Sequence, residues 1–194
     1  FRRELGISPH EAAVGIIGRI GLGKGHEYFV EAALTLLNGG CPAQFLIVGD
    51  ALFPEDAWRV DSLRAKVKAA GVDHRIKFLG YRRDMPFVMR GLDVLVLASE
   101  AEPCGRVLFE AMASGTAVVA TDSGGTPEIV RDGREGILVP PRDAGALASA
   151  INRLVTDVEL RTAMGRAGVT RVQAQFTIDR HVQRTMEVYA EAMH

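Results

Sequence analysis

The sequence predicts an α/β domain: a doubly wound, parallel, six-stranded sheet of Rossmann-like type, followed by C-terminal helices. Three observations predict it. Short apolar runs alternate with helical segments six times, the pattern of repeated strand-helix-strand units. The runs are apolar throughout rather than at every second residue, as strands buried on both faces require. A chain of 194 residues, 47% of them hydrophobic, suits one domain with a full core.

Taken in order, residues 1–10 are a polar lead-in ending at Ser8-Pro9, and Ala13 to Ile17 is the first strand. It runs into Gly18-Arg19-Ile20-Gly21-Leu22-Gly23-Lys24-Gly25, a glycine-rich loop with two cations. Glu27 to Leu37 is a helix with Phe29, Ala33, Leu36 and Leu37 on one face, stopped by Asn38-Gly39-Gly40. Phe45 to Val48 is the second strand, residues 51–58 a longer loop, and Arg59 to Ala70 a charged surface helix. Arg75 to Leu79 is the third strand, ending at Gly80, and a short helix over 85–90 leads to the fourth at 94–98. Apolar residues Val107, Leu108, Ala111 and Met112 fall at helical spacing after Gly105, and Gly115 ends that run. Ala117 to Thr121 and Gly136 to Val139 are the last strands; Pro127 suits a first helical turn between them. Helices are predicted at about 143–156, 159–174 and 178–193, the last carrying a stripe of Ile178, Val182, Met186, Tyr189 and Met193.

With strand order 3-2-1-4-5-6, strands one and four meet where the winding reverses, and a ligand crevice opens at their carboxyl ends. The loops after those two strands are the unusual ones. One brings Arg19 and Lys24; the other brings Glu102, with Glu110 a turn inside the following helix. Gly105 and the first N–H groups of that helix make an anion site. Two carboxylates beside an anion site fit a ligand with hydroxyl-rich groups at either end of a diphosphate, because a carboxylate accepts two hydroxyl hydrogen bonds at once. A nucleotide sugar has all three parts. In the plainer reading, Glu110 serves only the helix dipole, and Glu102, Arg19 and Lys24 are solvated loop charges.

A formal charge of −1 gives no support to nucleic-acid binding, so no nucleic-acid partner is expected and any phosphate site must use a few local cations. Cys41 and Cys104 show no metal-ligand spacing and suit a reducing cytosol; Cys104 reads as a small buried filler. No apolar run approaches the roughly 18–20 residues of a membrane-spanning helix, and no signal-peptide pattern is present. The expected location is cytoplasmic, with a peripheral place on the inner face of the membrane left open. His26 reads as a surface or capping residue, and His10, His74, His181 and His194 form no cluster. Two phosphate motifs fit the glycine loop badly. Gly25 stands where a P-loop needs a hydroxyl for Mg²⁺, and His26 replaces the third glycine of a dinucleotide fingerprint, in which Asp50 would be the ribose ligand. The Gly124-Gly125 loop is either a plain turn or a source of N–H groups for sugar hydroxyls.

Glu102-x7-Glu110 followed by Ala-Met-Ala-Ser-Gly resembles the donor-binding domain of retaining glycosyltransferases of the GT-B fold, family four in particular. Gly18-Arg19 with Lys24-Gly25, Ser123-Gly124-Gly125-Thr-Pro-Glu-Ile-Val, and Asp132-Gly133-x-x-Gly136-Ile-Leu-Val-Pro-Pro match the same pattern in order, over about residues 12–180. The resemblance implies that Arg19 and Lys24 bind the donor's diphosphate, that Glu110 holds the ribose and that Glu102 contacts the sugar. It also implies that amides near Gly105, Arg106, Val107 and Leu108 reach the phosphates, that Gly18, Cys104, Gly124 and Gly125 belong to the donor site, and that the loop around Phe78-Leu79-Gly80 meets the base.

The donor would be UDP- or GDP-linked, with no cofactor. Such enzymes need no bound metal, which agrees with the lack of an Asp-x-Asp or a His/Cys cluster in the sequence. The implied layout is a lead-in over 1–12 from an N-terminal acceptor domain that is missing, a nucleotide-sugar-binding domain over 13–176, and a helix over 177–194 that would pack back toward that domain. The acceptor would be a glycan, lipid or small molecule. A non-catalytic nucleotide-sugar-binding module and an NAD-type dinucleotide domain are the rival readings.

Overall fold

The structure, a computed structural model, describes residues 1–193; His194, at the end of the predicted last helix, lies outside the described residues. The strands are β1 (Ala12–Ile17), β2 (Ala43–Val48), β3 (Ile76–Gly80), β4 (Val94–Leu97), β5 (Ala117–Thr121) and β6 (Gly136–Val139). They form one parallel sheet in the order β3-β2-β1-β4-β5-β6, the order on which the expected crevice depends. β1 therefore lies beside β4, with Ile16 opposite Val96.

Successive residues of a strand point to opposite faces, and both faces are covered. Val14, Ile16, Phe45, Ile47, Val94, Val96 and Val119 pack on Phe29, Val30, Leu36, Val60, Leu63, Leu147, Ile151 and Leu154. Those partners come from α1 (His26–Asn38), α2 (Ala57–Ala69) and α6 (Ala144–Thr156). The alternate residues Ala13, Leu46, Leu95, Leu97, Val118 and Ala120 pack on Met89, Leu108, Ala111, Met112 and Val172. These belong to α3 (Met85–Gly91), α4 (Arg106–Ala113) and α7 (Val158–Gln175). The two-sided burial explains why the strands read as unbroken apolar runs. It also pins the register, because a slip of one residue would exchange the two faces.

α5 (Thr126–Ile129) is a single turn, and α8 (Ile178–Ala192) closes the chain. The Asp143 and Asp157 side chains cap α6 and α7 by accepting from the amides of Ala146 and Leu160. α8 has no buried residue: Ile178, Val182, Met186, Tyr189 and Met193 are all more than half exposed, so the predicted stripe is uncovered. No helix of the described residues is long and apolar enough to cross a membrane. Two local differences from the sequence reading matter for the site. β3 takes in Gly80, the residue at which the strand was expected to end, and the 51–58 loop contains a 3-10 turn, Pro54–Asp56, that leads straight into α2. Pro54 starts that turn because its ring fixes a helical φ and its missing N–H is not needed there.

Candidate active site

At the carboxyl ends of β1 and β4 the two loops diverge and then are tied to each other. The Glu100 amide donates to the Gly23 carbonyl at 2.9 Å, so the glycine loop is held to the segment after β4. Gly25 closes the same clasp: its φ is 73°, and a Cβ there would lie 1.9 Å from the Ala98 carbonyl oxygen. Only glycine permits both that conformation and that approach. Gly25 also accepts the first hydrogen bond of α1, from the Phe29 amide at 3.0 Å. The glycine loop is thus fixed by backbone contacts before any side chain is considered.

The cleft between the loops encloses about 740 Å³. Gly18, Arg19, Lys24, Glu102, Cys104, Gly105, Arg106, Val107 and Glu110 line it, together with residues the sequence reading did not place there: Ala51, Leu52, Tyr81, Arg82, Met85 and Ser99. Lys24 Nζ lies 2.9 Å from Glu102 Oε2, and the Ser99 hydroxyl donates to the same oxygen at 3.1 Å. The cation and acid expected on opposite walls are therefore in direct contact. Arg19 Nη1 pairs with Asp56 Oδ2 at 3.0 Å.

Glu102 is held from behind. The Gly125 amide donates to its carbonyl at 2.8 Å, and a Cβ on Gly124 would come within 2.3 Å of that oxygen. Gly124 and Gly125 thus support the loop that carries the acid. At the start of α4, the Arg106 amide already donates to the Cys104 carbonyl and the Leu108 amide to the Gly105 carbonyl. Among the described residues, the Gly105 and Val107 amides, like that of Cys104 before them, have no such partner and remain free to donate to an anion. The Leu108 side chain is fully buried in the core.

Three further expectations are corrected. Phe78 and Leu79 do not line the cleft, nor does Gly80: Phe78 packs on the core beneath α2 under the Arg64 guanidinium, and Leu79 packs on the opposite face. Because β3 extends through Gly80, the residues that reach the cleft there are Tyr81 and Arg82. Cys104 is exposed in the cleft wall, not a buried filler. His26 is buried, not a surface residue, since the Gly25–Ala98 contact presses the start of α1 onto β4.

Neither ring nitrogen of His26 has a hydrogen-bond partner, and burial, with Lys24 nearby, pushes its pKa down to about 4. From pH 6.5 down to about 4 the unfolded chain binds a proton there that the fold refuses. Stability therefore falls as pH drops through that window, by up to about 3 kcal/mol, and then levels. Urea unfolding of the wild type and of His26→Leu across that pH range checks this. The wild type should lose stability relative to the variant as pH falls; parallel curves would contradict it.

Among the described residues no group of three or more His, Cys, Asp or Glu side chains is placed to hold a metal ion. Comparison with known protein families matches residues 11–157 to the family described as Glycosyl transferases group 1. The chain belongs to the glycosyl transferases group 1 family. It is 35% identical over 181 residues to the lipopolysaccharide core biosynthesis mannosyltransferase LpcC of Rhizobium leguminosarum bv. viciae, covering 93% of this chain and 51% of that protein. It is 31% identical over 177 residues to the alpha-D-kanosaminyltransferase of Streptomyces kanamyceticus, covering 90% and 44%. Among solved structures, Anabaena HepE in complex with UDP superposes with a TM-score of 0.89 at 31% identity, over 98% of this chain and 51% of that one. The C-terminal domain of a group 1 glycosyl transferase (LpcC) from Francisella tularensis superposes at 0.81 and 36% identity, covering 86% of this chain and 87% of that domain. The chain thus spans about half the length of the curated group 1 relatives it matches.

Proposed function

We propose that this chain is the donor-binding half of a retaining hexosyltransferase that takes its sugar from a nucleoside diphosphate. The observation that carries this reading is one juxtaposition. Lys24, Glu102 and the free amides of Gly105 and Val107 converge on a cleft at the β1–β4 switch point. The diphosphate would lie between Lys24 and Arg19 on one side and the two amides on the other, where its charge meets fixed donors. As it binds, Lys24 would exchange the Glu102 carboxylate for phosphate oxygens. Glu102 would then be free to accept from sugar hydroxyls, still held by Ser99. Glu110, in the same wall, would accept from the ribose hydroxyls. Tyr81 and Leu52, which line the cleft and are mostly exposed, offer apolar contact for the base, Tyr81 with a flat ring.

Breaking the anomeric bond leaves negative charge on the diphosphate, which is where the cations and amides are aimed. The acceptor hydroxyl would attack from the face the nucleotide leaves, so that configuration is retained. Acceptor binding would fall to the other half of such an enzyme. The HepE complexes with UDP and with UDP-glucose make uridine the first base to test. Calorimetric titration of this chain with UDP, GDP, ADP and NADH is the experiment. One diphosphate nucleotide should bind in the micromolar to millimolar range, about −4 to −8 kcal/mol. Binding of NADH alone, or of none of them, would overturn the reading.

A further inference from the structure

We propose that Asp56 is a positioning residue that seats Arg19 for the diphosphate, a role shared with Phe53 and Gly21. The proposal rests on the reading that Arg19 meets the diphosphate and names what makes that possible. Arg19 sits on a loop, and a long side chain free to rotate must be ordered at the moment of binding, which weakens it as a ligand. Here it is ordered beforehand.

Asp56 is only 7% exposed, and its two oxygens serve two arginines: Oδ2 takes Arg19 Nη1 at 3.0 Å and Oδ1 takes Arg59 Nε at 3.1 Å. The Phe53 ring lies against the Arg19 guanidinium, 5.3 Å from centroid to Cζ. Gly21 completes the seat: a Cβ there would fall 2.4 Å from Arg19 Nη1 and 2.8 Å from Asp56 Oδ2. The ion pair thus lies flat on the backbone of the glycine loop. That loop is bound to the turn after β2 by the Ile20 amide, which donates to the Asp50 carbonyl at 3.0 Å.

One detail separates this from an incidental surface pair. Asp56 ends the Pro54–Asp56 turn with helical backbone, and its carboxylate is left to the two arginines. A carboxylate close to a diphosphate would repel it. With Arg59 also on Asp56, the three groups carry one negative and two positive charges, and the guanidinium of Arg19 keeps further donors for a phosphate in the cleft wall it lines.

The test is a double-mutant cycle read by calorimetry with UDP and GDP on wild type, Asp56→Asn, Arg19→Ala and the double variant, each checked for an intact thermal melt. Asp56→Asn should weaken binding about tenfold alone, and have no further effect once Arg19 is alanine. Gly21→Ala, which displaces the pair without changing charge, should weaken binding in the same direction and serves if Asp56→Asn fails to fold. If wild type binds neither of these nor ADP, the diphosphate reading and this inference fall together. If Arg19→Ala weakens binding while Asp56→Asn and Gly21→Ala do not, the seat alone is disproved. Tighter binding by Asp56→Asn, or an equal loss on both backgrounds, would overturn it as well, by making Asp56 a competitor for Arg19 or a purely structural residue.

Discussion

A Gly25→Val substitution should cost about 3–5 kcal/mol of stability and remove nucleotide binding with it. Two effects add. A β-branched residue at a φ of 73° is strained, and its Cβ would lie 1.9 Å from a backbone oxygen, Ala98 O, which no rotamer change can relieve. The same contact clasps the glycine loop to β4 and presses the start of α1, with His26, into place. Gly23 supplies the control. Its φ is 72°, but a Cβ there meets nothing within 4 Å, so Gly23→Ala should show the backbone strain alone, about 1–2 kcal/mol. Urea unfolding of both variants beside a nucleotide titration measures the difference. If the two cost the same, the loop clasp does not hold the site.

Lys24→Ala should carry the other large effect. In a transferase containing this half, losing one fixed donor to the leaving diphosphate should lower kcat by about 10²–10³, or about 3–4 kcal/mol. The loss has two parts, because Lys24 both faces the cleft and neutralises Glu102, whose side chain is only 12% exposed. Without the ammonium, Glu102 is a carboxylate in a partly dry wall with Ser99 as its remaining partner, and an anionic donor would meet that charge unscreened. Lys24→Arg keeps the charge but not the reach of the ammonium, and should recover nucleotide affinity better than rate. Steady-state kinetics with donor varied separates the two: an unchanged kcat in Lys24→Ala would remove this residue from the chemistry.

The sheet was legible because its two-sided burial leaves unbroken apolar runs, and because β1 and β4 are each followed by a loop that breaks the regular pattern. Glycines at 18, 21, 23 and 25, and the Glu102–Glu110 spacing, are local signals, and they located the cleft wall. What escaped was set by tertiary geometry. Asp56 looked like a charge in a loop before a surface helix; its role depends on a 3-10 turn that carries it across to Arg19. His26 looked like a solvated helix start until the Gly25–Ala98 contact buried it. Phe78 and Leu79 missed the cleft by the length of a strand end, since β3 runs on to Gly80 and hands the position to Tyr81. The direct Lys24–Glu102 contact joins residues far apart in the chain, and only the register of β1 against β4 makes it.

The central claim is that one diphosphate is gripped from both sides of the β1–β4 cleft. A crystal structure of this chain with bound UDP, or with whichever nucleoside diphosphate binds in the titration, tests it most directly. The account predicts phosphate oxygens within hydrogen-bond distance of Lys24 Nζ and of the Gly105 or Val107 amide, with the Lys24–Glu102 pair opened. A nucleotide lodged elsewhere, or one lying in the cleft with that ion pair intact, would contradict it.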